Sequence, residues 1–184
     1  MTPKELETVS GVRNRARLLL PALVLATPGQ ESLEEYQALA KVLRHFVALV
    51  TWPGTSDRPL QIGVLGGSGF GTELDIAMGR TTVGGRKVQV HYLSATTFLK
   101  ETTDYDVLFI DRGEDNYLPA ILSKIQAKPT LTLGYGEDLA RKGVMVNFLL
   151  KDNRIRFEVN ASRVKDAGLV ISSHLLSIAK IVES

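Results

Sequence analysis

Cysteine is absent from this sequence of 184 residues, which excludes disulfides, thiol nucleophiles and thiolate metal sites. Histidine is scarce, and none of the three histidines, His45, His91 and His174, has a second histidine or a carboxylate at the spacing of a metal site. The Gly-x-Ser-x-Gly elbow of the α/β-hydrolases is also missing. These absences predict a protein that is not an enzyme and that holds no cofactor.

Neither sign of charge dominates the chain. The 22 Lys and Arg residues and the 20 Asp and Glu residues leave a net charge of +2, too small for the strongly positive field of a nucleic-acid-binding protein. Hydrophobic residues make up 44% of the sequence, and the length suits a single domain whose core needs no disulfides. We therefore predict one globular domain.

The N-terminal apolar run, Leu18–Ala26, is too short to span a bilayer but suits the hydrophobic region of a signal peptide. Three arginines lie among residues 13–17 before it, and Val24 and Ala26 place small residues at the −3 and −1 positions of a cleavage site. We predict that residues 1–30 are a signal peptide with a short linker and that the protein is exported. The alternative is an amphipathic helix packed on the domain.

Residues 31–184 alternate between helical and extended patterns, which predicts an α/β fold. The fold class that we predict is a single-domain mixed β-sheet flanked by helices, with a C-terminal β-hairpin and helix. The predicted helices cover the stretch from Glu31 to Trp52 and the ranges Thr72–Met78, Ala95–Thr102, Asn116–Ile125 and Glu137–Lys142, and the predicted strands cover Leu60–Leu65, Val88–Leu93, Tyr105–Ile110 and Pro129–Leu133.

The hairpin is predicted from two alternating runs, Val144–Leu150 and Ile155–Val159, which flank a turn containing Asp and Asn. Two helices should follow, the last with an apolar stripe extending to Val182. Alternation places Arg154, Arg156 and Glu158 together on a face that we predict to be exposed and to contact a partner. The alternative is a solvated edge that prevents aggregation.

A glycine-rich turn follows the strand Leu60–Leu65, in the position where α/β proteins bind phosphates. Its candidate ligand-binding residues are Gly66, Ser68, Gly69 and Gly71. The pattern departs from known motifs, because threonine stands in place of the P-loop lysine and no acidic residue lies between positions 76 and 100. The loop is therefore either a nucleotide site or a tight structural turn.

Two acidic residues, Asp111 and Glu114, come at the end of a buried strand, where α/β proteins often bind ligands. They either face a crevice or belong to a turn that caps the next helix. Trp52, the only tryptophan, is predicted to fill space in the core.

Beyond these local patterns, residues from about Glu35 to Ile181 resemble the YfiR family. The resemblance is strongest at the C-terminal end, in Gly143–Phe148, Arg154–Asn160 and Ala167–Ser173. The segments that match upstream are Glu35–Tyr36, Lys41, Phe46, Trp52–Pro53, Ile62–Gly66, Phe70–Gly71, Val83, Gly85–Val88, Val107–Ile110 and Leu131–Thr132. The family commonly has an asparagine and a lysine between Phe and Trp-Pro, and this chain has neither between Phe46 and Trp52.

The resemblance implies a periplasmic regulator without catalytic activity. Such a protein is expected to form a homodimer, to bind the periplasmic part of a membrane diguanylate cyclase or sensor kinase, and to repress it, which links the protein to cyclic di-GMP and biofilm control. Two alternatives remain at this point. One is a nucleotide-binding α/β enzyme that uses the loop from Gly66 to Gly71, and the other is a periplasmic protein that binds a small molecule in a pocket under the hairpin.

Overall fold

The computed structural model describes residues 28–54, 56–126 and 128–183. The predicted signal-peptide features lie before residue 28, outside the described residues. The helices are α1 (Pro28–Ala48), α2 (Glu73–Met78), α3 (Ala95–Lys100), α4 (Leu118–Ile125), α5 (Ala161–Asp166) and α6 (Ser173–Ile178), with 3₁₀ turns at Ser68–Phe70 and Asp115–Tyr117. The strands are β1 (Val50–Thr51), β2 (Leu60–Leu65), β3 (Thr82–Val83), β4 (Arg86–Leu93), β5 (Val107–Ile110), β6 (Leu131–Tyr135), β7 (Val146–Lys151), β8 (Arg154–Asn160), β9 (Val170–Ile171) and β10 (Lys180–Val182).

The main sheet has eight strands in the order β10-β8-β7-β6-β5-β2-β4-β3. Its centre, from β4 to β7, is parallel, whereas β3 pairs with β4 and β8 pairs with β7 in the antiparallel sense. Parallel neighbours need crossover connections, which explains why helices alternate with the central strands. The predicted mixed α/β fold is therefore confirmed. Strands β1 and β9 form a separate antiparallel pair.

Both faces of the sheet are covered by apolar side chains. On one face Val107 and Phe109 of β5 belong to a cluster that includes α1, and on the other Leu108 and Ile110 belong to a cluster that includes α3 and α4. This explains why β5 is a continuous apolar run, since each side chain is buried whichever face it occupies. Trp52 packs against the α1 cluster, as expected.

The C-terminal hairpin is confirmed. β7 and β8 pair from Val146 with Val159 to Lys151 with Arg154. The turn between them has positive φ at Asp152 (52°) and Asn153 (56°), residues that tolerate the left-handed region of a two-residue turn.

Two local predictions were wrong. The last helix does not continue to Val182: it ends at Ile178, and β10 then pairs with β8, because extended backbone there gains a strand partner. The range Glu137–Lys142 forms turns instead of a helix, with Asp138 at a φ of 55°.

Candidate functional site

The carboxyl ends of the parallel strands β2, β5 and β6 meet at one edge of the sheet, the position where α/β proteins commonly bind ligands. Three loops leave this edge: the glycine-rich loop after β2, the loop that begins at Asp111 after β5, and the loop that begins at Gly136 after β6. Helix α1 passes beside them and contributes Glu35 and Tyr36. We call this region the carboxyl-edge crevice.

Asp111 is buried at the base of the crevice, with 3% of its surface exposed. The Tyr36 hydroxyl lies 2.8 Å from both carboxylate oxygens, and the backbone N–H of Arg112 donates to Oδ1 at 2.9 Å. Burial raises the pKa of Asp111, although these two hydrogen bonds oppose the increase. The pKa of Tyr36 is raised by burial and by its hydrogen bond to Asp111. The pair therefore joins α1 to the end of β5, and at neutral pH the tyrosine keeps its proton.

The Arg112 side chain bridges the crevice. Its guanidinium forms an ion pair with Glu35 and lies 4.1 Å from the centre of the Tyr135 ring, a cation–π contact. The three residues line a cavity of about 550 Å³, to which Asp115 and Phe148 also contribute. Within the described part of the chain, Tyr135 Oη and Asp115 Oδ1 are buried without a hydrogen-bond partner. The cavity thus combines aromatic walls with polar groups, the composition typical of a small-molecule pocket.

The glycine-rich loop packs closely against its neighbours. A Cβ atom at Gly69 would lie 2.3 Å from the Tyr36 ring, and one at Gly66, where φ is 76°, would lie 2.9 Å from the side chain of Glu114. Gly71 has open space around it and a φ of 51°. Two of the candidate glycines therefore have packing roles, and the Glu114 carboxylate beside Gly66 would repel a phosphate. Ser68 begins the 3₁₀ turn in this loop.

Sequence reasoning treated this loop and the acidic loop after β5 as separate leads, but the structure brings them together. Asp111 does lie in a turn, and it also reaches into the core to bond Tyr36, 75 residues away along the chain. Nothing in the local pattern identified Tyr36, because its spacing is simply that of a core residue of α1.

The second candidate region is the hairpin. Arg154 and Arg156 are exposed, but Glu158 is only 5% exposed and accepts a 2.6 Å hydrogen bond from Lys180 Nζ. The prediction of an exposed Glu158 was therefore wrong, because β10 lies next to β8 and places Lys180 beside Glu158. Sequence reasoning missed Lys180, since it assigned that residue to a helix.

The sequence profile of the YfiR/HmsC-like family matches residues 36–180, which is most of the chain. The chain belongs to the YfiR/HmsC-like family. No curated protein sequence matches it significantly.

Solved structures share the fold of this YfiR/HmsC-like chain. An ABC domain from Streptococcus pneumoniae in complex with L-Trp superposes with a TM-score of 0.55 at 11% identity, covering 78% of this chain and 60% of the other. A conserved domain protein from Vibrio cholerae gives 0.51 at 12% identity, covering 79% and 59%. This chain thus spans about three fifths of the length of these two structures.

None of the helices in residues 28–54, 56–126 and 128–183 is long and apolar enough to cross a membrane. No group of three potential ligands is arranged around a metal position in the same ranges. His45 and His91 instead make single hydrogen bonds, at 2.8 Å to the backbone oxygen of Lys41 and 2.7 Å to Gln61.

Proposed function

We propose that this YfiR/HmsC-like protein is a periplasmic regulator without catalytic activity, which binds the periplasmic part of a membrane diguanylate cyclase or sensor kinase and represses it. The observation that carries the proposal is the family match over residues 36–180, because it includes the hairpin and nearly all of the sheet. Through that partner the protein would lower cyclic di-GMP and limit biofilm formation. The exposed arginines of the hairpin, Arg154 and Arg156, are the proposed contacts, with Glu158 holding the neighbouring Lys180.

The packing of the glycine-rich loop supports a role without nucleotide chemistry. A phosphate-binding loop presents free backbone N–H groups around an anion. In this chain a ring and a carboxylate occupy the space beside Gly69 and Gly66. Calorimetric titration with ATP, GTP and NAD is expected to give no heat of binding. Saturable binding that Gly66→Ala abolishes would instead support the nucleotide-binding alternative.

Repression of this kind requires the regulator to prefer one state of its partner. To move a partner from almost fully active to almost fully inactive, it must bind the inactive state about 10⁴-fold more tightly, or about 5.5 kcal/mol. A partner variant locked in its active state should therefore be captured far less well than the wild-type partner.

The decisive experiment is a deletion of the gene, with complementation by the full-length chain. We expect cyclic di-GMP to rise in the deletion strain and to return to the starting level on complementation. Affinity purification of the tagged protein from detergent-solubilised membranes should recover a membrane protein with a periplasmic domain. Unchanged cyclic di-GMP in the deletion strain, together with capture of no such protein, would refute the proposal. Sedimentation of the purified protein tests the expected homodimer.

A further inference from the structure

Like charges face each other at the end of the hairpin. The register pairs Lys151 of β7 directly with Arg154 of β8, and Arg156 lies two residues further along the same face. Two cations directly opposite on neighbouring strands destabilise the pair. All three side chains are exposed, and within the described ranges none of them forms an ion pair.

The nearby carboxylate does not neutralise these cations. Glu158 shares their face of β8, but it is buried and already pairs with Lys180 on β10. Asp152 is exposed in the turn beside Lys151, and within the described residues it forms no ion pair. Lys151, Arg154, Arg156 and Lys180 are four cations, and Asp152 and Glu158 are two carboxylates, so this region carries an excess of two positive charges.

A groove with apolar walls adjoins these cations. Its volume is about 750 Å³, and its polar lining consists of three cations, Lys151, Arg156 and Lys180, and two carboxylates, Asp152 and Glu158. The apolar residues that line it are Leu149, Leu150, Ile155, Phe157 and Ile178. Leu149 pairs with Arg156, so it shares the face of the cations, and it is partly exposed. Ile178 is 63% exposed. Exposed apolar side chains with a polar rim are typical of protein interaction sites. We call this region the hairpin groove.

The combination of charge and shape selects among the possible occupants. A second copy placed by a two-fold axis would bring the same cations against one another, which is unfavourable. A membrane surface would meet the cations but would not fill a concave groove. A polypeptide segment with acidic residues on one side and apolar residues on the other satisfies both features.

We propose that the hairpin groove binds an acidic amphipathic segment of a partner protein, with apolar side chains against Leu149 and Ile178 and carboxylates at Lys151, Arg154 and Arg156. This inference builds on the proposed function and specifies the partner surface that a regulator of this kind would recognise. Of the groove residues, Lys151 and Lys180 had no functional role in the sequence prediction. Ile178 was predicted to face the core in the apolar stripe of the last helix, and this was wrong, because its side chain is 63% exposed.

The test is fluorescence anisotropy of the full chain with a labelled short peptide in which glutamate alternates with leucine. Two matched peptides replace glutamate by lysine or leucine by serine. We expect only the glutamate–leucine peptide of the three to bind, and its affinity should fall as the salt concentration rises. The double variant Lys151→Glu/Arg156→Glu should bind at least about tenfold more weakly, equivalent to about 1.4 kcal/mol. Lys87→Glu, an exposed lysine on β4 near the opposite end of the sheet, should bind like the wild type.

Loss of folding can be separated from loss of binding. Lys151→Glu places a carboxylate opposite Arg154, so the thermal unfolding temperature of this variant should not fall. Ile178→Ser removes an exposed apolar side chain, so it should weaken binding of the glutamate–leucine peptide without affecting folding. Equal binding of the lysine–leucine peptide, or wild-type affinity in both groove variants, would overturn the proposal.

Two other outcomes would overturn it in favour of a different occupant. Sedimentation of the protein with phosphatidylglycerol vesicles, without peptide binding, would assign the cations to a membrane. A dimer that Ile178→Ser dissociates, again without peptide binding, would assign the groove to a second copy. Failure of the proposed function is detected separately, because cyclic di-GMP in the deletion strain does not depend on which surface of the protein is used.

Discussion

Asp106 precedes strand β5 at the amino edge of the sheet and Asp111 follows it at the carboxyl edge, and different groups stabilise the two buried carboxylates. The Asp106 carboxylate accepts two hydrogen bonds from Arg58, of 2.8 and 2.9 Å, and one from Arg86, of 2.7 Å. It accepts a fourth, of 2.8 Å, from the backbone N–H of Gln61. Two guanidinium groups thus bind this carboxylate directly, and they connect β5 to the amino ends of β2 and β4.

Asp111 has no such cation bonded to it. Its partners are the Tyr36 hydroxyl and a backbone N–H, while the nearby Arg112 guanidinium is paired with Glu35. Burial and the neighbouring Glu114 raise the pKa of Asp111. Functional sites tolerate charges in unfavourable surroundings more often than structural sites do. Cations therefore hold the carboxylate at the amino edge, whereas neutral donors hold the carboxylate at the carboxyl edge.

The largest expected effect is at the amino edge. Asp106→Ala would leave Arg86, whose side chain is only 11% exposed, without its charged partner. We expect the free energy of unfolding to fall by about 3–5 kcal/mol in urea titrations. Asp104→Ala is the matched control, because its pair with Lys128 is exposed and should contribute less than about 1 kcal/mol. Equal losses in the two variants would contradict the structural role of Asp106.

At the carboxyl edge, Gly69→Ala would insert a methyl group where the Tyr36 ring lies. We expect a loss of about 1–3 kcal/mol, since Tyr36 must move and weaken its bond to Asp111. The control is Gly71→Ala, which meets no neighbouring atom but holds a left-handed conformation. A double-mutant cycle with Tyr36→Leu should show coupling for Gly69 and none for Gly71. Absence of coupling at Gly69 would show that the loop does not depend on Tyr36.

A smaller effect is expected from Tyr36→Phe, which removes one hydrogen bond from the Asp111 carboxylate. Stability should fall by about 1–2 kcal/mol at neutral pH. The pKa of Asp111 should rise further, because the tyrosine hydrogen bond lowers it. Carboxyl NMR titration of both proteins measures this change, and an unaltered Asp111 titration would contradict it.

The raised pKa of Asp111 also sets a direction for pH dependence. Between the ordinary pKa of an aspartate and the raised pKa of Asp111, the folded state binds more protons than the unfolded state. The contribution of Asp111 to stability therefore decreases as pH rises through that window. The measurement is the free energy of unfolding, from urea titrations at low and at neutral pH, for the wild type and for Asp111→Asn. The part of the pH-dependent change that comes from Asp111 should be absent in the variant.

The sequence predicted those elements whose patterns are local. The alternation around the Asp152–Asn153 turn identified the hairpin, and the apolar run of β5 indicated a strand covered on both faces. Strand β10 was missed because its three residues are extended only through pairing with β8, which periodicity does not report. The contact between Tyr36 and Asp111 was missed for the same reason, since it joins distant parts of the chain.

The smallest effect is expected within the Asp106 cluster itself. Arg58 makes two hydrogen bonds to Asp106, but its side chain is 47% exposed, and Arg86 and the Gln61 N–H would still bind the carboxylate without it. Arg58→Ala should therefore lower the free energy of unfolding by no more than about 1 kcal/mol. Arg86→Ala should lower it more, because the lost partner is the less solvated of the two. A larger loss for Arg58→Ala than for Arg86→Ala in urea titrations would show that solvent exposure does not determine the strength of these ion pairs. The difference between Asp106 and Asp111 would then depend only on the number of cations bound to each carboxylate.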